Sequence, residues 1–363
     1  MRAFWLVLFA SCMAAILLPG SDTRSAFTPS WTQLHVSFRD AAPPTLAAVT
    51  PSSSASVTPS PTRASSSSSA TAQPATSAAP AATTSAAASF AAQGTPQAAT
   101  TVPAAPAGWS TLFSDTFDGA AGTAPSTQNW LYDVGTGFGS SAVRQTNSTA
   151  NAYLDGQGNL VLQANDTDGS WTAAEIETKR ADFAAPAGGK LEMTASLELP
   201  TGSGAVGYWP AFWAGGTPIR SGGPWPESGE IDMMEDINGL DSAAQTFHFG
   251  SSSQLGGSLS ACPVTSCLDG FHTYSVVIDR TNTSAESLQF LIDGKVQATY
   301  TEAQVGTSTW QAAVDHGYFI LLDLVIGGSW PDSQCGCTAP TTSTASGGAM
   351  RVGYVAVYEQ PAS

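Results

Sequence analysis

Charge is what this chain has least of: 11% of its 363 residues are Asp, Glu, Lys or Arg, and 12 are basic. Against 28 acidic residues this leaves a formal net charge of −16. That excludes nucleic acid and anionic membrane surfaces as partners, because both select a basic patch; a neutral substrate is compatible. Cysteine is also sparse, at five residues, and no histidine lies near Cys335-Gly336-Cys337 to make a metal centre of it. Setting Cys12 aside, Cys262, Cys267, Cys335 and Cys337 form an even set suited to disulfides, with three connectivities open. Cys262 with Cys267 closes a small loop; Cys335 with Cys337 would be strained by its single intervening residue, and crossed pairing is the alternative. Helix signals are few, confined to a turn or two between Thr301 and Ala313.

A long apolar run occurs at the N-terminus, from Ala3 to about Leu18 after Met1-Arg2, closing at Pro19-Gly20. Residues 1–20 therefore read as a secretory signal peptide or an uncleaved signal anchor. Residues 21–107 read as a stalk: from about Ala41 to Ala107 Ser, Thr, Ala and Pro dominate, and Arg63 is the single charged side chain. Such a composition cannot bury a core. The folded domain is expected over 108–363, in a protein that is secreted and stays in the medium or is held at a cell wall or membrane.

Within that domain short alternating apolar runs recur between Gly/Ser/Asn/Asp clusters, among them Thr273–Asp279, Leu288–Asp293, Tyr318–Ile326 and Met350–Tyr358. Asp293-Gly294 is a hairpin turn signal. Many short strands over roughly 250 residues imply an all-β sandwich or barrel.

Against the scarcity of charge, Glu230-Ile231-Asp232-Met233-Met234-Glu235 places three carboxylates within six positions, interleaved with large apolar residues. On a strand Glu230 and Asp232 share a face, and strict alternation would send Glu235 to the other. One extra residue, a β-bulge, returns Glu235 to the carboxylate face. An acidic solvated strand face is the plain alternative. The flanks argue otherwise, being aromatic and Gly/Pro-rich: Tyr208-Trp-Pro-Ala-Phe-Trp213 and Trp225-Pro-Glu-Ser-Gly229.

These segments, with Thr246-Phe-His-Phe-Gly250, Phe271-His-Thr-Tyr274, Leu291-Ile-Asp-Gly294 and Gly327-Gly-Ser-Trp-Pro331, resemble glycoside hydrolase family 16. The resemblance runs from about Trp109 to Tyr358 and is to the laminarinase-like, endo-β-1,3-glucanase branch. There the spacing is ExDxxE rather than the ExDxE of lichenases and transglycosylases. It implies a β-jelly-roll sandwich, concanavalin A-like, with a concave substrate cleft. It also implies double-displacement hydrolysis of β-1,3-glucan or mixed β-1,3/1,4-glucan, with Glu230 as nucleophile, Glu235 as acid/base and Asp232 between them. A proton shared between Asp232 and a neighbouring Glu would help keep Glu235 protonated. Trp209, Trp213, Trp225 and Trp330 are the candidates for stacking on sugar rings, with core packing as the alternative for each. His248 is a candidate to hydrogen-bond substrate or a catalytic carboxylate, whereas His272 is assigned to a strand start. No cofactor or metal is expected; calcium is common in the family, but no loop here specifies a site. The expected partner is a β-glucan polysaccharide and the expected state a monomer. A transglycosylase of the same family is the alternative function, and a non-catalytic glucan-binding protein a more distant one. Two positions depart from the family: Asp323 stands where Asn is usual, and Glu175 where a basic residue is frequent.

Overall fold

A computed structural model of the chain describes residues 101–137 and 141–362. The expected leader and nearly all of the expected stalk lie outside the described residues.

Two antiparallel sheets face each other. The sheet that matters for function, here the front sheet, has seven strands in the order β13 (Ser253–Gly256), β12 (Ala244–Phe249), β11 (Glu230–Glu235), β10 (Tyr208–Gly216), β17 (Tyr318–Ile326), β8 (Glu175–Thr178), β2 (Trp130–Asp133). The back sheet runs β16 (Lys295–Thr301), β15 (Ser287–Ile292), β14 (Phe271–Asp279), β9 (Lys190–Glu198), β18 (Ala349–Gln360), β5 (Leu160–Gln163), β4 (Ala152–Leu154), with β1 (Ser110–Asp115) also beside β18. A small third sheet joins β3 (Arg144–Gln145), β7 (Ser170–Ala173) and β6 (Asn165–Thr167). Non-consecutive neighbours such as β10 beside β17 and β9 beside β18 give the crossed-over connectivity of a jelly roll.

Burial explains the sequence patterns. In β15 buried and half-buried positions alternate, as they do when one face packs and the other meets solvent. All nine residues of β17 and of β10 are buried, so these strands read as continuous apolar runs. One face of each enters the main core; on the other, Ala211, Trp213, Phe319 and Leu321 form a separate apolar cluster. The Asp293-Gly294 turn joins β15 to β16 with both residues at positive φ, 49° and 69°, as a two-residue hairpin turn requires.

The helical stretch expected after Thr301 is two helices, α1 (Glu302–Val305) and α2 (Thr307–Val314). A third, α3 (Ser329–Cys335), follows Gly327-Gly328 and had no helical signal in the sequence. The disulfides are Cys262–Cys267 and Cys335–Cys337, so the crossed pairing is not adopted and the CxC cysteines bond to each other at the end of α3. The domain also begins earlier than residue 108. Val102, Ala105 and Trp109 pack against Tyr354, Ala356 and Tyr358, and the Tyr358 hydroxyl donates to the Pro103 carbonyl at 2.6 Å.

Candidate active site

The bulge is present in β11. Against β10 the register runs Ala211 to Glu235 and Phe212 to Met234, then jumps to Trp213 opposite Asp232, which leaves Met233 as the extra residue. Against β12, Asp232 pairs with Thr246 and Glu235 with Ala244, three steps against two. Consecutive methionines can thereby both bury in the main core beside Ile231, while Glu235 returns to the face of Glu230 and Asp232. Gly229, just before the strand, has φ +77°, and a Cβ there would lie 2.1 Å from the Ala313 carbonyl oxygen. Only glycine lets the chain enter β11 this close to α2.

All three carboxylates are buried, at 3% exposure for Glu230, 2% for Asp232 and 7% for Glu235, and buried carboxylates need donors. Indoles supply them to the two glutamates, and an imidazole lies beside the aspartate. Trp225 donates Nε1–H to Glu230 Oε2 at 3.1 Å, and Trp209 donates Nε1–H to Glu235 Oε1 at 3.0 Å. His248, on β12 directly opposite Glu230, places Nε2 3.1 Å from Asp232 Oδ2 and 3.8 Å from Glu230 Oε1. Burial would lower the His248 pKa, but the hydrogen bond to Asp232 and the charges of Asp232, Glu230 and Glu235 outweigh it and raise it to about 9. An imidazolium therefore sits among the acids at neutral pH, and Asp232 is engaged with it.

The four tryptophans divide into two pairs. Trp225 and Trp330 are half-buried and can offer ring surface to a sugar. Trp209 and Trp213 are only 3% and 4% exposed. They form the floor, and what they contribute is their N–H groups: Trp213 donates to Asp323 Oδ2 at 2.8 Å. Trp330 meets Trp209 edge-on at 5.6 Å between ring centroids, and Trp225 lies 5.8 Å from the His248 ring. His272 is remote from this group, bonded to Asp293 Oδ2 at 2.7 Å at the start of β14.

Register carries acid further across the front face. Glu235, Ala211, Asp323, Glu175 and Asp133 are successive cross-strand partners from β11 to β2. The two departures from the family pattern, Asp323 and Glu175, are thus directly opposed neighbours. In the next row stands Glu177, which burial and the charge of Asp133 push up to about 7 against the opposing pull of Arg220. Sequence reasoning missed Arg220. It reaches back from the turn after β10, pairs with Glu177 Oε1 at 2.8 Å and covers the Phe319 ring at 4.0 Å. Its partners lie in β8 and β17, on strands far from it in sequence, so no local pattern marks it. Among the described residues, the side chains of Glu230, Asp232 and His248 converge closely enough to hold a cation, with donor atoms within 4.8 Å of one another. A cation there would occupy the Glu230 carboxylate itself.

A sandwich that presents two glutamates and an aspartate on one bulged strand, the glutamates each taking an indole N–H and the aspartate facing an imidazole, defines the site of a β-sheet glycoside hydrolase. The comparisons agree. The family model for XgeA-like catalytic domains of glycoside hydrolase family 16 matches residues 187–286. An endo-1,3-β-glucanase from Streptomyces sioyaensis, of known structure, is 41% identical, superposes with a TM-score of 0.68 and aligns over 71% of this chain and 99% of its own. A glucan endo-1,3-β-glucosidase from Cryptopygus antarcticus is 30% identical over 55% of this chain and 76% of its own length. A keratan-sulfate endo-1,4-β-galactosidase from Sphingobacterium multivorum is 29% identical over 48% of this chain, which spans 37% of that relative's length. The chain belongs to glycoside hydrolase family 16, in its laminarinase-like branch.

Proposed function

We propose that the protein is a secreted, retaining endo-glycosidase that hydrolyses β-1,3-glucan of the laminarin type, or mixed β-1,3/1,4-glucan. The bulged strand carries this reading, because it gathers Glu230, Asp232 and Glu235 on one face. The Streptomyces and Cryptopygus relatives, both named as endo-1,3-β-glucan hydrolases, support the substrate class. The N-terminal apolar run and the two disulfides support secretion.

In the first step the Glu230 carboxylate attacks the anomeric carbon and Glu235 gives its proton to the departing glycosidic oxygen, leaving a glycosyl ester on Glu230. In the second Glu235, now a carboxylate, takes a proton from water as the water oxygen displaces Glu230. The Trp225 N–H donates to Glu230, and His248 lies on the same side, 3.8 Å from that carboxylate. Asp232, 3.1 Å from the His248 Nε2, holds the imidazolium beside Glu230.

The test is laminarin hydrolysis by Glu230→Gln and Glu235→Gln. Each is expected to lose at least about a thousandfold in kcat, well beyond the loss from a typical binding contact. Azide should rescue Glu230→Ala and yield a glycosyl azide of inverted configuration, and rescue Glu235→Ala to give one of retained configuration. Near-parental turnover by Glu230→Gln would end the proposal.

A further inference from the structure

Asn238 lies in the turn that leaves β11, beyond Glu235, with φ 60°. This left-handed conformation is one Asn tolerates better than most residues. Both ends of its half-buried side chain are committed. Oδ1 accepts from the backbone N–H of Gly207 at 2.7 Å, and Nδ2 donates to the Pro331 carbonyl at 3.0 Å. Its own N–H donates to the Tyr208 carbonyl at 2.8 Å.

These partners are not scattered. Gly207 precedes β10, which carries Trp209, and Pro331 follows Trp330 in α3. Trp330 packs edge-on against Trp209, whose N–H donates to Glu235. A single amide thus ties the end of the strand bearing Glu235 to the start of the strand bearing Trp209 and to the helix bearing Trp330. The approach at Gly207 is set by backbone: its φ is +88°, and a Cβ there would come 2.6 Å from the Ala339 Cβ.

We propose that Asn238 is a positioning residue for the Glu235 side of the site: it holds the Trp330 ring against Trp209 and so fixes the wall on which a sugar rests. The proposal rests on the reading of this face as a polysaccharide-hydrolysing site. Asn238 acts through Trp330 and itself touches no substrate.

A double-mutant cycle tests it. Asn238→Gly keeps the left-handed backbone and removes both side-chain bonds; Asn238→Asp keeps the acceptor for Gly207 and loses the donor to Pro331. Each is expected to raise KM for laminarin roughly tenfold while kcat stays within about twofold, as loss of a geometry-setting bond outside the reacting groups should do. Trp330→Ala should raise KM similarly. In Asn238→Gly/Trp330→Ala the two effects should fail to multiply, because both remove the same wall. Effects that multiply, or an unchanged KM in both Asn238 variants or in Trp330→Ala, would overturn the role. A merely structural Asn238 would lower Tm without this coupling. Activity of the parent protein on laminarin tests the functional reading separately. If it is absent, retardation in laminarin-containing gels still reads the Asn238–Trp330 coupling and decides the inference alone.

Discussion

His248 brings a positive charge to 3.1 Å from Asp232 and 3.8 Å from Glu230 in a group of otherwise like charges. Its pKa, raised from the ordinary 6.5 to about 9, makes it a source of pH-dependent stability. A base whose folded pKa exceeds its unfolded value stabilises fully below the unfolded pKa and ceases to do so as pH rises through the folded one. The contribution is therefore complete below about pH 6.5 and lost by about pH 10; at about 1.36 kcal/mol per pKa unit it is on the order of 3 kcal/mol. The difference in unfolding free energy between the parent protein and His248→Gln, measured by urea titration, should shrink over that range. A difference that stays constant from pH 6 to pH 10 would count against the imidazolium. The residue was legible in the sequence as a candidate neighbour of the acids, because it is a polar group set between Phe247 and Phe249 in the run that follows the acidic strand. Its charge state was not, since that depends on burial and on three carboxylates converging in space.

At the scale of the strand, the decisive residue is the uncharged Met233. Deleting it would restore strict alternation in β11 and send Glu235 into the core that now holds Met234. Activity should vanish, and the buried carboxylate should destabilise the fold by several kcal/mol, roughly 3 or more. Met233→Leu keeps the residue count and approximate volume, so it should retain activity and change stability by less than about 1.5 kcal/mol. Circular-dichroism melts with laminarin assays on both variants check this, and an active deletion variant would refute the bulge as the device that builds the site. The bulge could be read from sequence because three acids in a charge-poor chain fit one face only with one residue to spare. Arg220, Asn238 and α3 could not be read that way. Arg220 matters through Glu177 and Phe319, and Asn238 through Gly207 and Pro331. Such contacts exist only after distant turns have been brought together, and neither turn carries a period. The tryptophans show the same limit: composition marks them as sugar-binding candidates, but only packing separates the half-buried Trp225 and Trp330 from the buried Trp209 and Trp213.

Over the whole molecule, the two faces of the sandwich have separate jobs. The front face carries the acids; the outer face of the back sheet carries the segment that leads in from the Ser/Thr/Ala/Pro-rich region. Along β18, Val355 and Val357 enter the main core, while Tyr354, Ala356 and Tyr358 point away and are covered by Val102, Ala105 and Trp109. Composition assigned residues 102–107 to the stalk because they are Ala- and Pro-rich, yet small apolar residues are what lie flat on a tyrosine-bearing sheet. A chain starting at residue 101 should therefore be more stable than one starting at 108, which loses the Val102 and Ala105 contacts and leaves the Tyr358 hydroxyl without the Pro103 carbonyl. The expected loss is on the order of 1–3 kcal/mol from apolar area and one hydrogen bond. For a domain of this size that lowers Tm by roughly 2–10 °C. Both chains should show the same kcat/KM on laminarin, since the strap lies on the sheet that does not carry Glu230 and Glu235. Calorimetry and initial rates on the two proteins decide it: equal melting temperatures would show that the strap contributes nothing, and a fall in kcat/KM at a temperature where both are folded would show that the two faces are coupled.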